Sequence, residues 1–306
     1  MVQFFLNIYI IFSKMNSIYY FNINFSCNNK CVYCFSHSTG EERRDVIFEQ
    51  FTQNLQSVKP GETDKICING GEPSLHPHFY QILRFIENHF STHTVVYTNG
   101  TLLKREELRG LKRTSFVIPI HGNEELHNRI TRNKSSYSQT ISGLQALQQE
   151  KIPFAIKFIL NKEMVESEFK IPVFLQMHNL HPNKIFLARL NKTKKAVLNQ
   201  VQYPSFEDLQ KYLIKCHNDL SSTFELIYLD IPLCFVYDKG DKLSLPQIPI
   251  FLYSDYRKTL VEKNYYKEIK ILGGRCKNCP KEAICSIMQD SYLTLSFHKE
   301  WKLVVE

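Results

Sequence analysis

The sequence has no apolar run of about 18 residues or more, the length that a transmembrane helix needs. The apolar stretch at residues 4–12 is short, with neither a basic flank before it nor a small-residue cleavage site after it. A signal peptide is therefore not favoured. We expect residues 1–14 to be an extra leading segment or an added edge strand, and we expect no membrane partner.

Long blocks of one charge are also missing. The net charge is +8, but no lysine-rich block or basic helix accounts for it. This excess of positive charge is compatible with anionic ligands, but without a basic cluster it does not favour nucleic acid as a partner. No internal repeat or low-complexity tract is present, so the 306 residues predict one large globular domain, or one domain with a small appendage.

The sequence does contain a regular alternation of strand-like and helix-like segments. Strands are predicted at residues 17–25, 65–69, 94–98, 115–120, 154–160 and 184–190. Helices are predicted at residues 46–58, 79–90, 102–111, 137–149, 164–177 and 206–220, with Pro172 kinking or breaking the fifth and Ser205 capping the last. Six β–α units predict an α/β fold with a parallel sheet, either a partial barrel or a doubly wound sheet. The regular units end near residue 225, which predicts a boundary between residues 17–224 and residues 225–306.

Nine cysteines occur, and six of them stand in two groups with close spacing. Such spacing is typical of metal sites rather than disulfides, so we expect a reducing, cytoplasmic compartment. Cys27, Cys31 and Cys34 form a Cys-x3-Cys-x2-Cys run after the first predicted strand. Thiolates are the usual ligands of iron–sulfur clusters, and three of them leave one iron of a four-iron cluster open to another ligand. On spacing alone, a partial zinc site and half of a redox pair remain alternatives.

Polar turns follow the next three predicted strands. The run Gly70, Gly71, Glu72 and Pro73 is by itself an ordinary turn, but its glycines let the backbone approach a ligand and its acid can bind an ammonium group. Asn99 begins an Asn-Gly turn after the third strand, and His121 precedes a glycine after the fourth. Because the carboxyl ends of parallel strands form the edge where active sites assemble, we expect these turns to lie beside the cysteines.

A second cysteine group lies near the C-terminus. Cys276, Cys279 and Cys285 form a Cys-x2-Cys-x5-Cys run, and Cys234 lies upstream as a candidate fourth ligand. Four thiolates would close a cluster or bind zinc. The two cysteines outside both groups, Cys67 in a predicted strand and Cys216 in a predicted helix, are expected to be inert; for Cys216 a reactive pair with its neighbour His217 is the alternative.

The motifs after the first three strands resemble those of the radical S-adenosylmethionine (SAM) enzymes. The resemblance implies a partial (β/α)6 barrel with a small cysteine-rich C-terminal extension. It also implies that the first three cysteines hold a 4Fe–4S cluster whose open iron binds SAM. The SAM-binding residues that it implies are Tyr33 against the adenine, Glu72 and the turn Gly70, Gly71 and Pro73 at the amino group, and Asn99 nearby.

The resemblance is less direct in the fourth loop and at the C-terminus. Many relatives have Asp-Gly where this chain has His121, so a catalytic role for His121 stays open and the catalytic residues are unknown. His127, Asn128 and Arg129 resemble a common segment that organises the loop. The C-terminal cysteines resemble the auxiliary-cluster region of the SPASM and Twitch subgroups, which implies an auxiliary 4Fe–4S cluster, with zinc as the alternative.

The implied activity is reductive cleavage of SAM to a 5′-deoxyadenosyl radical that abstracts hydrogen from a substrate. Twitch- and SPASM-bearing relatives often modify ribosomally made peptides, so a peptide or protein side chain is the expected substrate, and a small molecule is the alternative. An electron donor such as flavodoxin or ferredoxin is an implied partner. A non-catalytic zinc-binding protein is the alternative from another class.

Overall fold

The computed structural model describes residues 17–34, 45–190, 193–229, 231, 250–254 and 260–263. Seven parallel strands pair in chain order, each with the next. They are β1 (Ser17–Asn22), β2 (Lys65–Asn69), β3 (His93–Tyr97), β4 (Thr114–Ile120), β5 (Phe154–Leu160), β6 (Lys184–Arg189) and β7 (Glu225–Leu229). A doubly wound sheet reverses its strand order partway, whereas the order from β1 to β7 runs in one direction. The order is that of a partial barrel.

Helices follow most of these strands, as a parallel sheet requires, because each crossover must return the chain to the starting edge. They are α1 (Phe48–Val58), α2 (Phe79–His89), α3 (Arg105–Leu108), α4 (Glu124–Thr131), α5 (Ser136–Gln149), α6 (Lys162–Glu166), α7 (Ile171–Met177), α8 (Lys194–Leu198) and α9 (Phe206–Leu220). None of these helices is both long enough and apolar enough to cross a bilayer.

Two more strands extend the sheet beyond β1. β8 (Ile250–Ser254) pairs parallel with β1, and β9 (Leu260–Lys263) pairs antiparallel with β8. Both strands belong to residues 225–306, most of which lie outside the described residues. The boundary between residues 224 and 225 therefore stays a prediction.

The two faces of the seven-stranded sheet differ in burial. On one face Ile66 and Ile68 of β2 pack against helices and are fully buried, as are Ile82 and Ile86 of α2. Each such side chain contributes about 1.5–3 kcal/mol of burial free energy. Residues of the opposite parity, such as Tyr20 and Tyr97, are half-buried. The helix-covered face therefore anchors the strands whose carboxyl ends position the loops described below.

The sequence patterns predict most of this fold. The parallel α/β sheet is confirmed, and the strands at residues 65–69 and 154–160 have the predicted bounds. Ser205 caps α9, its hydroxyl accepting a hydrogen bond from the Asp208 amide. The helices α4 and α8 and the strands β7, β8 and β9 were not predicted. The helix expected over residues 164–177 is two helices, with Pro172 in the first turn of the second.

Candidate functional site

The cysteine loop, residues 27–34, leaves the carboxyl end of β1 and packs against the loop after β4. The Lys30 amide donates to the Thr131 carbonyl at 2.9 Å, and the Val32 amide donates to the Ile130 carbonyl at 3.0 Å. The side chain of Asn29, which is buried, donates to the Ser136 hydroxyl at 3.1 Å and accepts from Asn133 at 2.8 Å. Both backbone and side-chain contacts therefore fix the loop that carries the three thiols.

The loop after β6 holds the other side of the cysteine loop. Asn199 donates through its side-chain amide to the Val32 carbonyl at 2.9 Å. The Thr193 hydroxyl donates to the Tyr33 carbonyl at 3.3 Å. Residues from the loops after β1, β4 and β6 thus meet at the carboxyl edge of the sheet, as the strand-end pattern predicts.

The glycine turn, residues 70–73, is fitted directly against the segment before Cys27. The Gly71 amide donates to the Asn24 carbonyl at 3.1 Å, and the Glu72 amide donates to the Ser26 carbonyl at 2.7 Å. A Cβ on Gly71 would lie 2.3 Å from the Ser26 carbonyl oxygen, and Gly70 has φ of 153°. Only glycine allows the backbone of the turn to lie this close to the backbone before Cys27. The two glycines are therefore explained, at least in part, by contact between two segments of the protein.

The carboxylate of Glu72 ties the turn after β2 to the turn after β3. Its Oε1 accepts from the Ser74 amide at 3.1 Å, from the Ser74 hydroxyl at 2.5 Å and from the Thr98 hydroxyl. Its Oε2 accepts from the Asn99 amide at 2.7 Å. A carboxylate oxygen can accept more than one hydrogen bond, so Oε2 keeps capacity for another donor.

Glu72 is almost completely buried, with 1% of its surface exposed. Burial raises the pKa of the Glu72 carboxyl, while the hydrogen bonds from Ser74, Thr98 and Asn99 oppose the rise. These hydrogen-bond donors stabilise the ionised form of the carboxylate. A cationic ligand group at this position would further favour the ionised form.

Asn99 connects the third strand's turn to the cysteine loop. The Asn99 side-chain NH2 group donates to the side-chain oxygen of Asn28 at 2.8 Å. The side-chain NH2 group of Asn28 in turn donates to the Thr101 hydroxyl at 2.7 Å. The Thr101 hydroxyl in turn donates to Asn99 at 2.7 Å. Glu72, Asn99 and the cysteine loop therefore form one connected group.

Beneath the cysteine loop lies a buried aromatic cluster. Tyr33 Oη is 2.6 Å from His121 Nδ1, and the two rings meet edge to face. His127 packs against His121 with ring centroids 5.0 Å apart, and its Nε2 is 3.1 Å from the Ser136 hydroxyl. Burial lowers the pKa of His121 well below its usual range and that of His127 to about 4, so both rings are neutral at pH 7. His121 holds Tyr33 in place, and contact of Tyr33 with adenine stays a prediction.

The neighbours of His127 also bind residues of the protein. Asn128 accepts from the Tyr137 amide at 2.8 Å through its side chain, at the start of α5. Arg129 pairs with Glu125 at 3.3 Å and with Glu163. These contacts organise the loop after β4, which is the role favoured by the sequence.

The three thiols of the cysteine loop are all half-buried. Burial raises the pKa of the Cys27 thiol to about 11 and that of Cys31 to about 12, and neighbouring thiols add to both shifts. Lys195 acts in the opposite direction on both. Thiolates that are disfavoured by burial and by one another are stabilised by a bound metal cation. Three soft donors on one loop fit an iron–sulfur group.

Within the described ranges, no three Cys, His, Asp or Glu side chains converge as ligands of a single metal ion. A four-iron cluster is bound with one thiolate at each iron, so its ligands do not need to meet at one point. The C-terminal candidates Cys234, Cys276, Cys279 and Cys285 lie outside the described residues. Their role as metal ligands stays a prediction.

The two remaining cysteines are both buried. Cys67 lies in β2 with 2% of its surface exposed, and Cys216 lies in α9 with 5% exposed. His217, which was considered as a partner of Cys216, instead places Nδ1 2.7 Å from the Tyr228 hydroxyl. Neither thiol joins the cysteine loop.

Some site residues were not singled out from the sequence. Ser74 and Thr98 supply three of the donors to Glu72, and Asn28 and Asn29 bind the neighbouring loops. The sequence indicates such residues only through short polar side chains beside each motif, because these side chains often bind nearby backbone. The sequence alone does not indicate which loop each one reaches.

Comparison with known proteins identifies the same part of the chain. Residues 21–169 match the family model of the Radical SAM superfamily. The antilisterial bacteriocin subtilosin biosynthesis protein AlbA of Bacillus subtilis is 30% identical over 132 residues, which are 42% of this chain and 29% of AlbA. A probable GTP 3′,8-cyclase of Saccharolobus islandicus is 26% identical over 198 residues, 62% of each chain. The chain thus spans less than two thirds of either relative.

The fold is shared with solved structures. The structure of native anSMEcpe with bound AdoMet and Cp18Cys peptide matches 90% of this chain and 91% of its own, with a TM-score of 0.65 and 16% identity. The match supports the partial barrel that the strand order indicates. The cysteine loop, the glycine turn and the fold agree with the matched family model: residues 21–169 of this chain form a radical SAM domain.

Proposed function

We propose that this protein reductively cleaves SAM to methionine and a 5′-deoxyadenosyl radical, which abstracts hydrogen from a peptide or protein side chain. The radical SAM domain implies SAM and a 4Fe–4S cluster as cofactors. The observation that carries the proposal is that the glycine turn bonds to the segment directly before Cys27, while the Asn99 turn bonds to Asn28 within the cysteine loop. Ligands for a cluster and for an amino acid group thereby share one edge of the sheet.

In this proposal each residue has a limited task. Cys27, Cys31 and Cys34 hold the cluster, and Glu72 accepts a hydrogen bond from the SAM ammonium through the free capacity of Oε2. The backbone of Gly70 and Gly71, with Pro73 behind it, shapes the wall of that subsite. Asn99 and Tyr33 are proposed to border the bound SAM. The set is Cys27, Cys31, Cys34, Tyr33, Gly70, Gly71, Glu72, Pro73 and Asn99.

The buried cluster below the loop supports this arrangement by keeping water away. Tyr33, His121 and His127 are each less than a tenth exposed. Because both histidines are neutral, they add no charge beneath the thiols. We assign His121 the task of positioning Tyr33, and with it the cysteines on either side.

A peptide is the favoured substrate because of the relatives. AlbA takes part in the biosynthesis of a bacteriocin, and anSMEcpe was crystallised with a peptide. A small-molecule substrate is the second candidate, because the GTP 3′,8-cyclase relative matches a longer part of this chain than AlbA does.

We also propose that Cys234, Cys276, Cys279 and Cys285 hold an auxiliary 4Fe–4S cluster, with zinc as the alternative. Metal analysis distinguishes an auxiliary cluster from zinc. Two four-iron clusters give about eight irons per chain, whereas one four-iron cluster with a zinc site gives about four irons. A Cys234→Ala variant should lose the auxiliary share of the iron. Full retention of iron in that variant would remove Cys234 from the ligand set.

The substrate proposal is tested with short peptides encoded by genes beside this one. The reconstituted protein is incubated anaerobically with SAM, a reductant and a deuterated peptide, and deuterium is measured in 5′-deoxyadenosine. Transfer from the peptide, absent in a Cys31→Ala control, is the expected result. Deuterium transfer from labelled GTP instead of any peptide would favour the small-molecule alternative.

A further inference from the structure

The seven-stranded sheet has a concave face, which ring contacts identify. Tyr20 of β1 and Tyr97 of β3 lie on either side of β2, and their ring centroids are 6.5 Å apart. Two strands that flank a third are about 9–10 Å apart, because neighbouring strands are spaced by about half of that distance. The two rings therefore converge, as side chains do on the inside of a curved sheet. The helices pack on the other face, where Ile66 and Ile68 are fully buried.

Lys157 of β5 lies on this concave face. Paired residues of neighbouring strands point to the same side of a sheet, and successive residues of one strand point to opposite sides. Tyr97 pairs with Val117 of β4, which pairs in turn with Ala155 of β5. Lys157 is two residues after Ala155 and has the same orientation. Burial agrees, because the next residue, Phe158, is fully buried on the helix side whereas Lys157 is half-buried.

Lys157 also lies toward the carboxyl edge, where the cysteine loop is. It pairs with Pro119 of β4, and His121 beneath the cysteine loop follows Pro119 by two residues. Burial is the main cause of the low pKa of His121, and the neighbouring groups His127 and Lys157 lower that pKa further. The ammonium group of Lys157 therefore acts in the part of the barrel next to the proposed SAM site.

The charges of the concave face are unevenly placed. Along β1–β7, the other Lys, Arg, Asp and Glu side chains with this orientation are Lys65, Lys184 and Glu225. Each of these three is the first residue of its strand and so lies at the amino edge. Lys184 and Glu225 also pair with each other at 2.8 Å. Among the residues of these seven strands, the concave face beyond the amino edge thus carries the positive charge of Lys157 and no acidic side chain.

We propose that Lys157 binds a carboxylate of the peptide substrate and so determines which peptides are held for the radical. The inference rests on the proposed function and narrows its substrate class to peptides with an acidic group near the carbon that loses hydrogen. A half-buried ammonium group on a face without nearby acid attracts an anion and repels a cation. Lysine suits this task because its flexible stem carries a compact charge with three hydrogen-bond donors.

The test compares two probe peptides that differ in one charge, acetyl-Gly-Glu-Gly-amide and acetyl-Gly-Gln-Gly-amide. Their ends are blocked, so the Glu side chain supplies the single carboxylate, and inorganic pyrophosphate serves as a phosphate probe. Binding of each probe to the reconstituted full chain with SAM is measured by anaerobic calorimetry at low salt, where charges are least screened. The variants are Lys157→Gln and, as the control, Lys65→Gln, which removes an exposed lysine of the same orientation at the amino edge.

We expect the wild type and Lys65→Gln to bind the Glu peptide about tenfold more tightly than the Gln peptide, since hydrogen bonds between charged groups are stronger than those between neutral groups. Lys157→Gln should bind both peptides equally, with the affinity that the wild type has for the Gln peptide. Its iron content and its affinity for SAM should equal those of the wild type. If Lys157→Gln does not retain iron, Lys157→Met, which keeps an unbranched apolar stem, takes its place.

Four outcomes would overturn the role of Lys157. Three are equal affinity of the wild type for the two peptides, a preference for the Glu peptide that survives in Lys157→Gln, and a lower affinity of that variant for SAM, which would place Lys157 in the SAM site. The fourth is tighter binding of pyrophosphate than of the Glu peptide, lost in Lys157→Gln, which would favour a phosphate-bearing small molecule. Absence of 5′-deoxyadenosine with dithionite in the wild type would refute the proposed function, whereas the peptide preference decides the role of Lys157 by itself.

Discussion

Replacing Glu72 by Gln tests how far one buried carboxylate supports the site. The substitution keeps the size of the side chain and removes its charge, so no cavity forms. Its consequence depends on hydrogen-bond geometry. The two carboxylate oxygens of Glu72 accept from two different backbone amides, Ser74 on Oε1 and Asn99 on Oε2.

The magnitude follows from that pattern. A Gln side chain has one oxygen and one NH2 group, so whichever way it turns, one of the two backbone amides faces another donor. The hydroxyls of Ser74 and Thr98 can rotate, but a backbone amide cannot. Leaving one buried donor unsatisfied costs about 1–3 kcal/mol of unfolding free energy. Loss of the charge-assisted bond to the SAM ammonium should also weaken SAM binding about tenfold or more, equal to about 1.4 kcal/mol per factor of ten.

The assay measures urea unfolding and SAM binding for Glu72→Gln beside Glu87→Gln. Glu87 accepts from the amides of Lys112 and Arg113 before β4, at the opposite edge of the sheet. We expect Glu87→Gln to lower stability without changing the affinity for SAM. If Glu72→Gln binds SAM as tightly as the wild type, Glu72 does not contact the ammonium. If it is also equally stable, the hydrogen-bond reasoning is wrong.

Three further changes address the loop, the ligands and the buried histidines. Gly71→Ala should prevent iron incorporation, measured by metal analysis, because its Cβ would lie 2.3 Å from the Ser26 carbonyl oxygen; wild-type iron content would contradict the backbone fit. Cys31→Ala should lose the SAM-binding cluster and its absorbance, whereas Cys67→Ala should retain both; the reverse result would reassign the ligands. The pKa of His127, about 4 when folded and normally 6.5, predicts that stability falls between about pH 6.5 and 4 by up to about 1.4 kcal/mol per pH unit, as the unfolded chain takes up the proton. Urea unfolding of His127→Gln should show a shallower fall, and equal slopes would contradict this.

The sequence predicts the strands well where an apolar run is bounded by a turn. The bounds of β2 were predicted because Pro60 and Gly61 precede it and Gly70 follows it. The segment that forms β7 is also an apolar run, but it follows the last recognised unit and was not assigned. Helix α4 is capped by Asn123, whose side chain accepts from the Leu126 amide. Asn is a common N-cap residue, so the sequence does carry a signal for the start of this helix.

The sequence predicts which residues form the site, but it does not predict the hydrogen bonds between them. The strand-end pattern places Glu72 and Asn99 near the cysteines. It does not indicate that the Glu72 carboxylate binds Thr98, or that Tyr33 reaches His121, because these contacts join residues far apart in the chain. Such pairings depend on how loops from different strands pack. Local sequence does not encode this in any periodic signal.

The central claim is that the cysteine loop holds a cluster that cleaves SAM. The most direct measurement is 5′-deoxyadenosine formation by the anaerobically reconstituted protein with SAM and dithionite, together with its iron content. The account predicts a brown, oxygen-labile protein that contains iron and produces 5′-deoxyadenosine, and loss of the product in Cys31→Ala. A colourless protein that contains zinc without iron and produces no 5′-deoxyadenosine would contradict it.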